Sequence, residues 1–472
     1  MNKDISEILR RLPSISDFLK TDVGSGLGKD FGEGALKLEL RRLLEEIRSR
    51  VREQGTDSVS DLEELGSTLR ERLERLTRPI GRRAINATGI ILHTNLGRAP
   101  LCEEAVEAVS SLARYSVLEI GVESGKRSHR DEYIEPLIME LTGCEAAGIV
   151  NNNAAAVMII LNTLFKGREV LISRGQLVEI GGAFRMPDVM EGSGAIMREV
   201  GTTNRTHIRD YEDAFTENTG GIMHVHNSNY RIIGFAGAPD VKELCGLGKR
   251  RGIPVVDDSG GGALFPMSQF GLPDEPLVQD SIKAGADAVC FSGDKLIGGA
   301  QAGIICGKRE TIERMRKNPF ARMFRADKMA LAALRATLVH IVNGDLARIP
   351  LYKMLARKVE ELEDQAWKIA SSLAGLKGVE LSVDDGLAYV GSGAMPDEGV
   401  PSKVVRVRAA NAGNPFSAEK KARRLRESLP AVFCRVQDNS LLFDMRTLQP
   451  EEPDYLAKVL REVLTPPGRE KE

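Results

Sequence analysis

The chain has 472 residues, 42% apolar and 28% charged, with 65 Lys and Arg against 67 Asp and Glu for a formal net charge of -2. That length exceeds what one small core serves, so two or three domains are expected; the balanced charge excludes the basic excess of a non-specific nucleic-acid binder but leaves room for a local cationic site. Cys102, Cys144, Cys245, Cys290, Cys306 and Cys434 are scattered, without a close pair to chelate zinc or form a redox disulfide, which predicts a reducing compartment. The N-terminus lacks a long apolar run, and no stretch reaches the ~18 apolar residues of a membrane span, so a cytoplasmic protein is expected.

Residues 1–80 read as a helical domain. Ile5, Ile8, Leu9 and Leu12 open an amphipathic pattern, and Leu40, Leu43, Leu44, Ile47 and Val51 continue one after a glycine-rich break. Leu62, Leu65, Leu69, Leu73 and Leu76 mark a third helix, ended by Pro79 and Gly81. Residues 81–335 change texture: AAGIV (146–150), EVLIS (169–173), GIMHVH (221–226), IPVVDD (253–258) and DAVCFSG (287–293) alternate with helical segments, which predicts an α/β domain with a mostly parallel sheet. Residues 336–472 complete a linking helix, ALAALRATLVHIV (330–342), and carry a second long helical pattern, YKMLARKVEELEDQAWKIASSL (352–373). The strand-like KVVRVRAA and SLLFDMRTL follow, so a small α+β domain is expected. No internal repeat or low-complexity tract is present.

Open α/β sheets build ligand sites where strands end in polar or glycine-rich turns. In AVCFSGDKLIGGAQAGIICGK (288–308) a strand delivers Asp294 and Lys295 into such a turn. In IPVVDDSGGGAL (253–264) Asp258 can face the same cleft and pair with a protonated pyridine nitrogen; Asp257 is its rival, because adjacent strand residues point to opposite faces. In GIVNNNAAAVMIILNTL (148–164), Asn151, Asn152 and Asn153 open a helix whose N–H groups and dipole suit a phosphate, or else simply cap it. Gln176, after the EVLIS strand, can cover a cofactor ring. His224 and His226 share a face by spacing, but two histidines alone are more often packing or hydrogen-bonding residues than ligands, and no metal site is expected. Helix-start anion site, aspartate and lysine, in this chain order, match the layout of fold-type-I pyridoxal-phosphate enzymes. The G-x-G-x-x-G turn of dinucleotide enzymes is missing after the first strand.

INATGIILHTNLGRAPL, IVNNNAAAVMIILNTL, SRGQLVEIGGAFRMPDVM, EVGTTNRTHIRDYEDA, SNYRIIGF and FSGDKLIGGAQAGII closely resemble the bacterial selenocysteine synthase family, the L-seryl-tRNA(Sec) selenium transferases, and the similarity runs to FDMRTL near the end. The resemblance implies a fold-type-I large domain, a small C-terminal domain and a helical N-terminal domain that grips tRNA. It implies pyridoxal 5′-phosphate held as a Schiff base by Lys295, and conversion of seryl-tRNA(Sec) to selenocysteinyl-tRNA(Sec) through an aminoacrylyl-tRNA, with selenophosphate as donor. It also implies a ring-shaped homo-oligomer built from dimers, with Arg98, Arg130, Arg322 and Arg325 around the selenophosphate anion, some reaching across the dimer interface. The chain departs from the family's usual Asp-Leu-Gly-Ser-Gly turn, reading Asp258-Ser259-Gly260-Gly261-Gly262. A second reading is a pyridoxal-phosphate lyase acting on a free amino acid or amino-sugar phosphate, for which Arg446 could bind a carboxylate. A third is a non-catalytic tRNA-binding scaffold, which the presence of Lys295 disfavours. Residues 1–80 hold fifteen Lys or Arg against sixteen Asp or Glu, so their assignment to tRNA rests on the resemblance.

Overall fold

The computed structural model describes residues 9–465 except 11, 55–60, 78–80, 183, 392–394, 396–397 and 412–415. Ile5, Ile8 and Pro79, used in the sequence reading, lie outside these residues. The chain divides into two compact units, Met1–Arg83 and Ala84–Glu472.

In the first unit, helices Ile15–Lys20, Asp22–Phe31, Glu33–Gln54 and Leu62–Thr77 enclose a core that includes Phe18, Leu27, Leu40, Leu44, Leu69 and Leu73. Ser14 and Thr21 cap the first two helices, accepting from the N–H groups of Asp17 and Gly24 at 3.1 and 3.0 Å. Most of the glycine-rich stretch expected to break the pattern is itself helical, and the break falls at Gly32, whose φ of 87° ends the second helix. Gly24 is required there by close approach, since a Cβ would stand 2.0 Å from the Phe18 carbonyl oxygen. Leu62 and Leu76, counted in the apolar row of the last helix, are exposed near its two ends.

The second unit opens with β1 (Ala84–Ala87). There follow β2 (Ala146–Val150), β3 (Glu169–Ser173), the short hairpin β4 (Glu179–Ile180) and β5 (Phe184–Arg185), and β6 (Ile196–Val200). β7 (Thr219–Val225), β8 (Val255–Gly260), β9 (Ala288–Ser292) and β10 (Gly303–Gly307) complete the series. The main sheet runs β2-β10-β9-β8-β7-β3-β6. Its pairs are parallel from β9 to β6, and only β10 is antiparallel, to both β2 and β9. Every residue of β8, β9 and β10 is buried, as a sheet covered by helices on both faces requires. Alternation along β3 separates the two cores: Val170 and Ile172 pack with Ile160 and Phe165 of helix Asn153–Phe165, whereas Leu171 packs with Leu244 and Val278 on the opposite face.

Beyond helix Lys328–Val342 come β11 (Val379–Tyr389), β12 (Gly399–Ala409), β13 (Ala431–Gln437) and β14 (Ser440–Asp444), in a second sheet ordered β1-β13-β14-β12-β11. β1 falls in the span read from sequence as the large domain, yet it pairs in parallel with β13, so the small sheet takes a strand from the other end of the unit. The pattern over 352–373 is also two helices rather than one, Pro350–Ala356 and Val359–Ser372. Arg357 and Lys358 between them are extended. The Arg357 guanidinium donates to the carbonyls of Met445 and Leu448 and to Gln365 Oε1, contacts that hold the break in place. Among the described residues no helix is long and apolar enough to cross a membrane.

Candidate active site

Alternation along β8 separates its two aspartates. Asp257 Oδ1 meets His224 Nδ1 at 2.7 Å and Oδ2 accepts from Ser281 Oγ at 2.6 Å. Asp258 faces the other side, where Asn153 Nδ2 donates to its Oδ1 at 2.8 Å and Cys290 Sγ lies 3.6 Å from the same oxygen. Lys295 is buried on the turn after β9, within electrostatic reach of Asp258, Asp294, Glu275 and Arg98. Burial lowers the Lys295 pKa, opposed by the Asp258 charge and assisted by Arg98. Burial likewise raises the Asp258 carboxyl, opposed by the Asn153 hydrogen bond and by Lys295.

The lysine turn is fixed by its backbone. Leu296 N–H donates to the Gly261 carbonyl at 3.2 Å, joining it to the glycine turn that follows Asp258, and Gly298 N–H donates to the Lys295 carbonyl at 2.9 Å. The Tyr352 hydroxyl donates to the Leu296 carbonyl, with its ring stacked on Phe270 at 5.5 Å.

Of the three asparagines, Asn152 caps the helix, its Oδ1 accepting from Ala155 N–H at 2.8 Å. Asn153 turns its amide to Asp258, and Asn151 donates its backbone N–H to the Phe324 carbonyl at 2.8 Å. The side chains of Asn152 and Asn153 therefore have protein partners. At the helix start the N–H groups of Asn153 and Ala154 have none among the described residues. Gln176 is buried with its Oε1 accepting from Val225 N–H at 3.3 Å, in the wall of a cavity of about 410 Å³ shared with His226, Tyr230 and Glu275.

The arginines fall into two groups. Arg98, at the left-handed φ of 62°, donates to Asp294 Oδ2 at 2.6 Å beside Lys295. Arg130 and Arg325 converge on Glu119, Arg325 at 3.2 Å, and with Arg322 they line a separate cavity. The Arg130 hydrogen bond holds Glu119 below its usual carboxylate range.

Arg446 has no exposed guanidinium to offer a substrate. It is buried and donates to four carbonyls: Met354, Leu355 and Arg357 at 2.8, 3.2 and 3.0 Å, and Pro401. Cys102, Glu104 and His340 lie close enough to share a metal ion, a grouping missed by spacing because His340 comes from a distant helix; Arg348 already pairs with Glu104 at 3.3 Å. Sequence reasoning did not single out Glu275, which carries no motif, whereas Asp294 was already visible beside Lys295 in the glycine turn.

Residues 84–449, nearly all of the second unit, match the SelA family, L-seryl-tRNA selenium transferase. The chain is 42% identical over 463 residues to the L-seryl-tRNA(Sec) selenium transferase of Carboxydothermus hydrogenoformans, covering 98% of each. It is 43% identical to that of Solidesulfovibrio magneticus, covering 98% of this chain and 99% of the relative. Among solved structures, D-glucosaminate-6-phosphate ammonia-lyase superposes with a TM-score of 0.57 at 19% identity, over 81% of this chain and 96% of that one, a likeness of fold. An aspartate on β8 and a lysine on the turn after β9 of one mostly parallel sheet, with relatives of one activity over nearly the whole chain, lead to one assignment: the chain belongs to the L-seryl-tRNA(Sec) selenium transferases, pyridoxal-phosphate enzymes of fold type I.

Proposed function

We propose that this chain converts L-seryl-tRNA(Sec) to L-selenocysteinyl-tRNA(Sec) with selenophosphate as the selenium donor, using Lys295 and Asp258 as its central groups. The observation that carries the reading is the buried Lys295 amine and Asp258 carboxylate on one side of the sheet, with Asn153 bracing the carboxylate.

These residues fit pyridoxal phosphate. Lys295 would hold it covalently, Asp258 would face its ring nitrogen, Gln176 would cover the ring, and the helix start at Asn151–Asn153 would receive the phosphate through backbone N–H groups. When bound, the cofactor supplies a sink for the electron pair left at Cα. Lys295, freed when the seryl amine takes its place and with its proton affinity lowered by burial, takes the Cα proton of the seryl group. The selenium of selenophosphate then adds at Cβ after the hydroxyl has left, Cα takes back a proton, and hydrolysis of the P–Se bond releases phosphate. Arg98, beside Lys295, would offer its charge to an incoming anion. Arg130, Arg322 and Arg325 would complete selenophosphate binding for a neighbouring protomer in a homo-oligomer built from dimers, and residues 1–83 would hold the tRNA.

Arg446 weighs against a lyase for free amino acids, since its guanidinium is occupied by backbone carbonyls. The deciding experiment incubates the cofactor-loaded protein with seryl-tRNA(Sec) and selenophosphate and identifies the amino acid on the tRNA. Selenocysteine is expected. Unchanged serine, together with ammonia released from a free amino acid or an amino-sugar phosphate, would return the chain to the lyases.

A further inference from the structure

The β-hydroxyl of serine is a poor leaving group unless it is protonated as it departs, and Lys295 is engaged at Cα. One titratable pair within electrostatic reach of Lys295 has no part in the scheme above. His226, just past β7, meets Glu275 Oε2 through its Nε2 at 2.6 Å, and both side chains are largely buried. The ring lines the same cavity as Gln176, its Nδ1 has no hydrogen bond among the described residues, and Glu275 also acts electrostatically on Lys295. A carboxylate on Nε2 stabilises the imidazolium and leaves Nδ1–H as the donor.

We propose that His226, held by Glu275, is the general acid that protonates the departing seryl hydroxyl. This rests on the seryl-tRNA reading. As Lys295 takes the Cα proton, the Cα–H electron pair becomes the Cα–Cβ π bond and the Cβ–O bond breaks. The oxygen takes the Nδ1 proton and leaves as water, and His226 is left neutral. Glu275 acts as a positioning residue through the imidazole. Burial opposes charge on the ring, but the hydrogen bond and charge of Glu275 outweigh it and raise the His226 pKa, with smaller support from Asp257 and Asp258 on β8. Asp274, Arg205 and Arg231 complete the charged groups on the cavity wall.

The test compares holoenzyme, His226→Gln and Glu275→Gln on seryl-tRNA(Sec) and on 3-chloroalanyl-tRNA(Sec), whose chloride leaves without a proton. His226→Gln is expected to slow the seryl substrate by ~100-fold or more and to turn over the chloro substrate at the wild-type rate. With serine, wild-type turnover falls as pH rises through the His226 pKa. Glu275→Gln moves that alkaline limb to lower pH, and histidine NMR titration of the same variant shows His226 losing its proton at correspondingly lower pH. Equal slowing on both substrates, or an unmoved limb and imidazole titration in Glu275→Gln, would overturn the proposal. The second variant decides the matter if His226→Gln does not fold. A wild-type protein that binds the cofactor but is inert toward seryl-tRNA(Sec) would instead remove the reaction on which the proposal rests.

Discussion

Asp258 and Lys295 are each buried at a cost to their charged forms, and their neighbours make that burial tolerable. Lys295→Ala should abolish covalent cofactor attachment and turnover while leaving thermal unfolding nearly unchanged; an unaltered cofactor absorbance in the variant would mean that another lysine carries it. Asn153→Ala removes a charge-assisted hydrogen bond worth roughly 1.5–3 kcal/mol, so cofactor retention in equilibrium dialysis should weaken about tenfold or more. The His226–Glu275 pair predicts a stability difference with a definite sign. The folded-state pKa of His226 is raised, so its contribution is fully present below the unfolded value of about 6.5 and is lost as pH rises through the folded value. The gap in urea midpoint between wild type and Glu275→Gln should therefore be widest under mildly acidic conditions and close toward alkaline pH. The choice between Asp257 and Asp258 was open in the sequence because both lie on one strand. The structure separates their surroundings: Asp257 meets His224 and Ser281 on one side, and Asp258 meets Asn153 on the other.

At the scale of elements, the site depends on how closely β10 approaches the start of helix Asn153–Phe165. A Cβ on Gly303 would stand 2.1 Å from the Asn152 carbonyl oxygen, so backbone would have to move. Gly303→Ala should destabilise the protein by about 1–3 kcal/mol in urea unfolding and should weaken cofactor retention as well, because the displaced helix start carries Asn153. Stability loss without any change in retention would separate the strand from the site. The strands that present Asp258 and Lys295 were legible as short apolar runs, since a sheet buried on both faces permits little else. The glycine-rich stretch around Gly24 was misread for a related reason: glycine marks a turn and a close helix contact equally well, and only the Phe18 carbonyl beside it shows which applies. The break at Arg357 was hidden because its causes, the carbonyls of Met445 and Leu448, lie far along the chain.

For the molecule as a whole, the division at Arg83 and Ala84 makes the role of the helical unit testable. Removing residues 1–83 leaves β1 to complete the small sheet and leaves the whole Lys295 site in the remaining unit. The truncated protein should fold and bind pyridoxal phosphate, but its affinity for seryl-tRNA(Sec) in filter binding should collapse; affinity and selectivity equal to those of the full chain would assign the helices another task. The sequence by itself determined the strand aspartate, the lysine on the turn after the next strand, the helix start ahead of them and the family, because each is written in a short contiguous stretch whose chemistry is local. Only the tertiary structure decided that Asn153 braces Asp258, that Glu275 reaches His226, that Arg446 is consumed by backbone carbonyls, and that β1 joins β13. Each of these is a contact between residues far apart in the chain. Such contacts are set by which faces the packed sheet and helices bring together, and local pattern carries no record of them.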